Sequence, residues 1–195
     1  MRKDNKVQFV FFETTLDKDP FIKRWEQYRR SDNSDIDVTV QQSEKDGLFS
    51  YIAQHRFETE EIQFVFAKES KSSRLAQERI KSTYAGGYFT IQSERLQDAG
   101  SNERKVFVCL QDASTDLAAY KKLAGAGSLN IYQAYYENCK YAYILEYFSG
   151  TKTVAHLRDE LRLLHGAEIG MYKECKLVKS KQVEKKEGFY VWPTF

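Results

Sequence analysis

Short apolar runs separated by polar turns dominate the first half of the chain. The run at Val7–Glu13 is almost entirely apolar and aromatic, which is typical of a strand covered on both faces. Apolar and polar residues alternate at Ile36–Gln42, and an Asp-Gly turn separates this half-buried strand from another at Leu48–Phe57. Further strands are predicted at Ile62–Ala67 and Tyr88–Arg95. These runs indicate a sheet-rich first half.

Two helices are predicted between these strands. Asp19 is a good N-cap and Pro20 suits the first helical position, so the first helix is expected to begin there. The second covers Ser70–Lys81, and the pair Gly86-Gly87 is expected to end it, because glycine commonly follows a helix C-terminus. The aromatic face of the first helix is formed by Phe21, Trp25 and Tyr28.

The second half repeats the same kinds of element after a polar stretch. Strands are predicted at Val106–Gln111, Leu129–Tyr136, Tyr141–Phe148 and Glu168–Leu177. Apolar stripes mark two helices between them, one with Leu117, Tyr120 and Ala124, the other with Val154, Leu157, Leu161 and Leu164. The order strand, helix, strand, strand, helix, strand is the split βαβ pattern of the ferredoxin-like motif.

The chain therefore divides into two similar halves. The divisions are a first ferredoxin-like half with one additional strand at 1–97, a linker at 98–105, a second ferredoxin-like half at 106–177 and a tail at 178–195. The additional strand is either Ile36–Gln42 or Ile62–Ala67. Both halves close with a helix, a glycine-containing turn and a strand, which indicates a tandem repeat. The tail is charged and then aromatic, and it either folds back onto the chain or docks onto a partner.

A sheet with helices on one face leaves its other face uncovered, and two such sheets can cover each other. This α+β arrangement resembles the dimeric α+β barrel superfamily, here with both units in one chain. The resemblance is topological and spans Val7–Leu177. Within the superfamily it points to the antibiotic-biosynthesis monooxygenase type, the stress-responsive barrel proteins and the haem-binding chlorite-dismutase type. It implies two ferredoxin-like sheets packed as an intrachain barrel.

Composition and charge exclude several classes of partner. The 195 residues carry 30 Lys and Arg against 28 Asp and Glu, a net charge of +2 that is too small to favour nucleic acid or an anionic membrane. The apolar runs are far shorter than the roughly 18 residues that a membrane helix needs. The apolar run after the basic start is too short for a signal peptide. Three cysteines without a CxxC pair indicate a reducing cytoplasm.

The three histidines are not expected to form a metal site. His156 and His165 are predicted in one helix, on opposite sides and more than two turns apart. By resemblance to the haem-binding barrel proteins, either is a candidate haem ligand. The alternative for His165 is a favourable interaction with the C-terminal end of the helix dipole. His55 lies on a predicted strand and is a candidate base or hydrogen-bond donor inside a barrel.

Tyrosines crowd the predicted hairpin of the second half. Strand alternation groups them by face, as Tyr141, Tyr143 and Tyr147 on one strand and Tyr132 and Tyr136 on the other. They either stack across a core or line a pocket, because tyrosine offers an apolar ring and one polar group. The candidate pocket residues are Trp25, His55, Tyr132 and Tyr143. The expected ligand is a small aromatic or polyketide-like molecule.

No catalytic motif is recognised in the sequence. The glycines form neither GxGxxG nor a P-loop, and GxSxG, HExxH and EF-hand patterns are missing. The main hypothesis is therefore a small-ligand-binding or structural barrel without a cofactor. The alternative is an enzyme resembling the cofactor-independent monooxygenases or the haem-binding members. The two halves supply the pairing that single-unit members obtain by dimerising, so a monomer and a homodimer are both compatible with the sequence.

Overall fold

The computed structural model describes most of the predicted strands. The described residues are 6–23, 37–44, 49–57, 63–67, 80–93, 104–124, 129–148, 154–164, 167–178 and 189–193. The strands are β1 (Lys6–Thr14), β2 (Asp37–Ser43), β3 (Tyr51–Phe57), β4 (Gln63–Ala67), β5 (Ile80–Gln92), β6 (Arg104–Leu110), β7 (Leu129–Ala134), β8 (Tyr143–Phe148), β9 (Ala167–Val178) and β10 (Phe189–Pro193). The helices are α1 (Leu117–Ala124) and α2 (Val154–Leu161), and residues 18–23 are also helical.

Eight of these strands close into an antiparallel barrel in the order β1-β3-β2-β9-β6-β8-β7-β5. The set β5-β1-β3-β2 and the set β9-β6-β8-β7 have the same internal order. The sets join where β2 pairs with β9 and β5 pairs with β7, and the register shifts at both junctions. Because the ring is closed, none of the eight strands leaves an unpaired edge. The chain thus has a mixed α+β fold.

The register of the first set recurs in the second. Phe9 of β1 lies opposite Gly86 of β5, and Phe107 of β6 lies opposite Gly170 of β9. Two positions earlier on β1 and β6, the partner on the neighbouring strand is a tyrosine in both sets, Tyr88 and Tyr172. The repetition therefore extends to single residue positions.

Two hydrophobic cores lie on opposite faces of the strands, as the period-two alternation requires. The interior core includes Val7, Phe9, Phe11, Tyr88, Phe107, Tyr132, Tyr141 and Tyr172. The outer core lies between the second set of strands and the two helices, and it includes Val106, Val108, Tyr120, Leu145, Tyr147, Leu157 and Leu161. Both cores are packed from buried side chains.

The helices α1 and α2 cover the outer core through their apolar stripes. The Asp116 carboxylate accepts a hydrogen bond of 2.9 Å from the backbone nitrogen of Ala118 and so caps the start of α1. Tyr147 donates a hydrogen bond of 2.8 Å to the carbonyl of Tyr120, which ties β8 to α1. No helix among the described residues is long and apolar enough to cross a membrane.

The helical segment at 18–23 begins earlier than predicted. It starts at residue 18, so that Asp19 and Pro20 lie inside its first turn, where proline is tolerated. The backbone nitrogen of Phe21 donates to the carbonyl of Asp17 at 3.0 Å. Phe21 stacks on Tyr51 with ring centroids 3.9 Å apart, which anchors the segment to β3. Trp25 and Tyr28 lie outside the described residues.

The prediction that a helix runs to Lys81 and ends at Gly86-Gly87 is wrong. Strand β5 begins at Ile80, and both glycines lie within it. A Cβ at Gly86 would come within 2.8 Å of Cζ of Tyr84, so glycine is required there by a side chain that folds over it. Residues 70–79 of the predicted helix lie outside the described residues.

The strand additional to the barrel is β4, because Ile36–Gln42 corresponds to the barrel strand β2. Strand β4 pairs in parallel with β10 in a separate two-stranded sheet, so the aromatic end of the tail folds back onto a segment of its own chain. Strand β6 begins at Arg104, inside the predicted linker at 98–105. Residues 179–188, the charged part of the tail, lie outside the described residues.

Candidate functional site

A buried carboxylate organises the polar part of the barrel interior. Glu146 of β8 is fully buried and lies opposite Asn130 of β7 and Phe107 of β6. Its carboxylate accepts hydrogen bonds of 2.6 Å from the Tyr132 hydroxyl and 3.0 Å from the Asn130 amide. The Lys105 ammonium forms an ion pair with it at 3.0 Å. We call this group, with Gln54 and Arg56, the Glu146 cluster.

Strand β3 completes the Glu146 cluster from the first set of strands. The Gln54 amide donates a hydrogen bond of 2.8 Å to the Tyr132 hydroxyl. Arg56 donates a hydrogen bond of 3.3 Å to the side-chain oxygen of Gln54, and its guanidinium lies 4.0 Å from the Glu146 carboxylate. The Arg56 side chain is 43% exposed, so the cluster reaches solvent at this residue.

The cluster fixes the protonation states of its acidic groups. Burial would raise the pKa of Glu146, but the Lys105 and Arg56 charges, with the hydrogen bonds to the carboxylate, lower it to about 2. Burial, reinforced by the Glu146 charge, raises the pKa of Tyr132. At neutral pH the carboxylate is ionised and the phenol neutral. Glu146 is therefore a poor proton acceptor, and the cluster is suited to holding the barrel together.

A second group, the tyrosine cluster, consists of Tyr84, Tyr88, Lys140, Tyr141 and Glu168. The hydroxyls of Tyr84 and Tyr88 lie 2.8 Å apart, and Tyr88 donates to the Tyr141 carbonyl at 3.2 Å. The Tyr141 hydroxyl accepts a hydrogen bond of 2.7 Å from Lys140 and donates one of 2.5 Å to Glu168. Burial is the main cause that raises the pKa of all three tyrosines, so their phenols are neutral donors.

A cleft of about 330 Å³ lies beside Phe49, where β1 and β2 end and β3 begins. We call it the Phe49 cleft. Its lining includes Thr14, Gln42, Ser43, Phe49, Ser50 and Tyr51. The Ser50 hydroxyl donates to the Thr14 carbonyl at 3.0 Å, and the Tyr51 hydroxyl donates to the Leu16 carbonyl at 3.2 Å. These bonds fix the walls of the cleft.

Of the predicted pocket residues, the structure describes the side chains of Tyr132 and Tyr143, and these two lie apart. Tyr132 lies in the Glu146 cluster, whereas Tyr143 packs against the outer core and donates a hydrogen bond of 3.3 Å to the carbonyl of Ala113. His55 lies in β3 between Gln54 and Arg56, and its side chain is outside the described part of the chain. Trp25 is also outside it.

The predicted grouping of the tyrosines by face is wrong in two places. Strand β8 begins at Tyr143, so alternation does not extend to Tyr141, which packs in the interior core while Tyr143 and Tyr147 contact the outer one. Strand β7 ends at Ala134, so Tyr136 does not share a strand face with Tyr132. Both errors arise because the turn between these strands is longer than the pattern suggests.

The histidine that the structure describes in α2 does not fit an axial haem ligand. The His156 side chain is 61% exposed and lies 3.3 Å from Glu160 on the outer surface of the helix. The side of α2 that faces the sheet carries Leu157 and Leu161 instead. His165 lies outside the described residues, and among those described no three potential metal ligands cluster.

Sequence reasoning missed the charged residues that structure the interior. Glu146 interrupts the apolar strand β8, and that interruption is a signal the sequence does contain, whereas Lys105 follows Arg104 at the polar start of β6. Their pairing depends on the alignment of β6 with β8, which the sequence does not specify. Lys140 lies in the turn between β7 and β8, and Glu168 is the second residue of β9.

Comparison with known proteins identifies the fold. No family model and no curated protein sequence matches the chain. The structure is similar to an anthrone oxidase-like protein, at 13% identity and a TM-score of 0.54, over 92% of this chain and 94% of that one. It is also similar to a chlorite dismutase variant from Candidatus Nitrospira defluvii, at 10% identity and a TM-score of 0.52, over 90% and 93%.

A third similar structure is a candidate monooxygenase from Fusobacterium nucleatum subsp. nucleatum, at 10% identity and a TM-score of 0.51, over 96% of this chain and 100% of that one. All three have the fold of the dimeric α+β barrel superfamily. The resemblance predicted from the order of the elements is thereby confirmed for the fold.

Proposed function

We propose that the chain binds a small aromatic molecule bearing a hydroxyl or carbonyl group in the Phe49 cleft, and that it does not convert this molecule. The observation that carries the proposal is the cleft itself. Its volume of about 330 Å³ falls at the lower end of the roughly 300–1,000 Å³ found for small-molecule sites. Phe49 and Tyr51, both buried, form part of its wall, and Gln42 supplies an amide.

The hydrogen bonds of the lining leave polar capacity for a ligand. The Tyr51 hydroxyl donates its hydrogen to the carbonyl of Leu16. The Gln42 amide reaches the same hydroxyl at 3.4 Å, which is long for a hydrogen bond. A ligand carbonyl can therefore accept a hydrogen bond from the Gln42 amide at little cost.

The barrel interior supports binding without turnover. Its carboxylate, Glu146, is held ionised by Lys105 and Arg56, and its phenols are held neutral. An oxidative enzyme is the alternative, since the similar structures include an anthrone oxidase-like protein and a candidate monooxygenase. That alternative needs a group at the cleft that exchanges protons with the ligand, and Glu13 is the carboxylate of the lining.

The repeated strand order and register support two ferredoxin-like halves derived from a tandem repeat. Since the second half then supplies the pairing of a second subunit, we expect a monomer, and a dimer mass in light scattering would contradict this. The free thiols of Cys109 and Cys139 support a reducing compartment such as the cytoplasm.

The binding proposal is tested with 2-naphthol and anthrone on the full chain. Isothermal titration measures affinity, and an oxygen electrode measures turnover in the same samples. Gln42→Trp fills the cleft, and Gln133→Trp, on the exposed side of β7, is the matched control. We expect saturable binding that weakens at least about 10-fold in Gln42→Trp only, without oxygen consumption.

Equal binding by wild type and Gln42→Trp would reject the Phe49 cleft as the site. Oxygen consumption that depends on the aromatic probe would reject the absence of turnover and favour the oxidative alternative. Thermal unfolding of each variant establishes that a loss of binding is not a loss of fold.

A further inference from the structure

One tyrosine of the interior lies in a recess that a glycine creates. Gly86 presents no side chain to the barrel interior, and the phenol of Tyr84 occupies the space above it. A Cβ at this position would lie 2.8 Å from Cζ of Tyr84 and 3.0 Å from Cε2 of Tyr88. These distances are shorter than van der Waals contact, so the recess exists only while residue 86 is glycine.

The recess is lined by aromatic rings. The centroid of Tyr84 lies 5.6 Å from that of Phe11 and 5.3 Å from that of Tyr141. The Tyr141 ring is nearly perpendicular to the Tyr84 ring, in an edge-to-face contact. Tyr88 closes the recess beyond Gly86. The site is therefore shaped for a single aromatic ring.

The recess also recognises a hydroxyl. Tyr88 donates its one hydroxyl hydrogen to the carbonyl of Tyr141, so in the contact of 2.8 Å between the two hydroxyls Tyr84 is the donor. The Tyr88 oxygen thus accepts a hydrogen bond from whatever phenol fills the recess. An aromatic ring without a hydroxyl would leave the buried Tyr88 oxygen without this hydrogen bond.

Tyr84 differs from its neighbours in exposure. Tyr88 and Tyr141 are fully buried, whereas Tyr84 is only partly buried. The ring of Phe11 contacts Tyr84 on one side and lies 4.7 Å from Phe49 on the other. The buried ring of Phe11 therefore lies between the recess and Phe49 of the cleft.

We propose that this recess is a binding subsite for a phenolic ring, occupied by the chain's own Tyr84 until a phenolic ligand displaces it. The inference rests on the proposed function and narrows the ligand to a phenol whose hydroxyl donates to Tyr88. Tyr84 is then a competitor of the ligand. Substitutions that weaken the contacts of Tyr84 with the recess, or that remove its side chain, should strengthen binding of the phenolic ligand. A residue that contacts the ligand would show the opposite effect.

The test uses p-cresol, which has the ring and hydroxyl of a tyrosine side chain, and isothermal titration. Tyr84→Phe retains the ring but loses the hydrogen bond to Tyr88, so we expect p-cresol to bind about 2- to 10-fold more tightly than to wild type. Tyr84→Ala empties the recess and should bind more tightly still. Toluene, which lacks the hydroxyl, should bind Tyr84→Ala more weakly than p-cresol does.

The double variant Tyr84→Ala/Gly86→Ala is the matched control. The added Cβ refills part of the recess and should remove the gain in p-cresol affinity expected for Tyr84→Ala. Thermal unfolding checks the fold of each variant, and the conservative Tyr84→Phe keeps the test valid if Tyr84→Ala is unstable.

Weaker or unchanged binding of p-cresol in Tyr84→Phe and Tyr84→Ala would overturn the inference. The two proposals fail separately. Loss of naphthol binding in Gln42→Trp together with unchanged p-cresol affinity in the Tyr84 variants would retain the cleft and reject the recess. The reverse result would reject the cleft and retain the recess.

Discussion

The Tyr132 hydroxyl donates a hydrogen bond of 2.6 Å to the carboxylate of Glu146 in the barrel interior, and both side chains are buried. The two residues come from neighbouring strands, β7 and β8, but the groups that neutralise the carboxylate come from β6 and β3. The hydrogen bond is therefore part of a network that joins both sets of barrel strands. A buried carboxylate of this kind is compatible with a stable fold only while its hydrogen-bond and ion-pair partners are all present.

The stability of the protein should fall in acid because of Glu146. Its pKa in the folded protein, about 2, is below its ordinary value of 4.5, so its contribution is fully present above pH 4.5 and is lost between pH 4.5 and 2. The shift corresponds to roughly 3 kcal/mol. We expect the free energy of unfolding, measured with urea, to fall by about this amount in wild type between pH 4.5 and pH 2. It should fall less in Glu146→Gln. Glu137→Gln, in an exposed turn, should behave like wild type.

Removing the partner of the buried carboxylate should be more damaging than removing the pair. Lys105→Met leaves Glu146 buried without its ion-pair partner at 3.0 Å and should lower the free energy of unfolding by about 3–5 kcal/mol. The double variant Lys105→Met/Glu146→Gln should lose less than the sum of the single variants. Chemical denaturation of all four proteins measures the coupling, and additive losses would show that the two charges act independently.

Gly86→Ala should destabilise the barrel because the new methyl group overlaps Tyr84. Overpacking of this kind typically costs about 1–3 kcal/mol, and the contact with Cζ of Tyr84 at 2.8 Å identifies where it occurs. The same substitution in a Tyr84→Ala background should cost less, since the overlapping ring is gone. Thermal unfolding of wild type and Gly86→Ala, and of Tyr84→Ala and Tyr84→Ala/Gly86→Ala, measures the cost in each background. An equal cost in both backgrounds would locate the strain in the backbone instead.

The thiols should differ in their reactivity towards alkylating reagents. Cys109 is buried in the interior core, where burial, with the Glu168 charge, raises its pKa and disfavours the reactive thiolate. Cys139 is only partly buried. Under native conditions iodoacetamide should modify Cys139 well before Cys109, as measured by peptide mass spectrometry. Modification of Cys109 at the rate seen in urea would show that the interior opens readily.

Much of the fold follows from local patterns. The apolar run of β1 and the alternation of β2 identify strands because periodicity and burial are properties of consecutive residues. The wrong prediction of a helix end at Gly86-Gly87 arises because the reason for the glycine is not local. A glycine pair after helix-forming residues is a good local signal for a helix end, but the reason for the glycine is the Tyr84 ring that lies over it. Only the packed structure contains that contact.

The candidate site was less predictable than the fold. The crowding of tyrosines predicts Tyr132 as a site residue, and Tyr132 belongs to a polar group in the interior. The Phe49 cleft, in contrast, is built from the ends of three strands, and no pattern along the chain relates Thr14 to Gln42. Tyr143, chosen by the same crowding argument as Tyr132, faces the other side of the sheet.

The sequence by itself determined which segments become strands and the order in which they follow one another, because backbone preference and hydrophobic periodicity act over a few neighbouring residues. Tertiary structure alone decided that β2 meets β9 and β5 meets β7, and with that closure which side chains share the interior. The pairing of Glu146 with Lys105 and the recess over Gly86 are consequences of strand register. Register is set by packing and hydrogen bonding between distant segments, and a shift of one residue would turn each of these side chains to the opposite face.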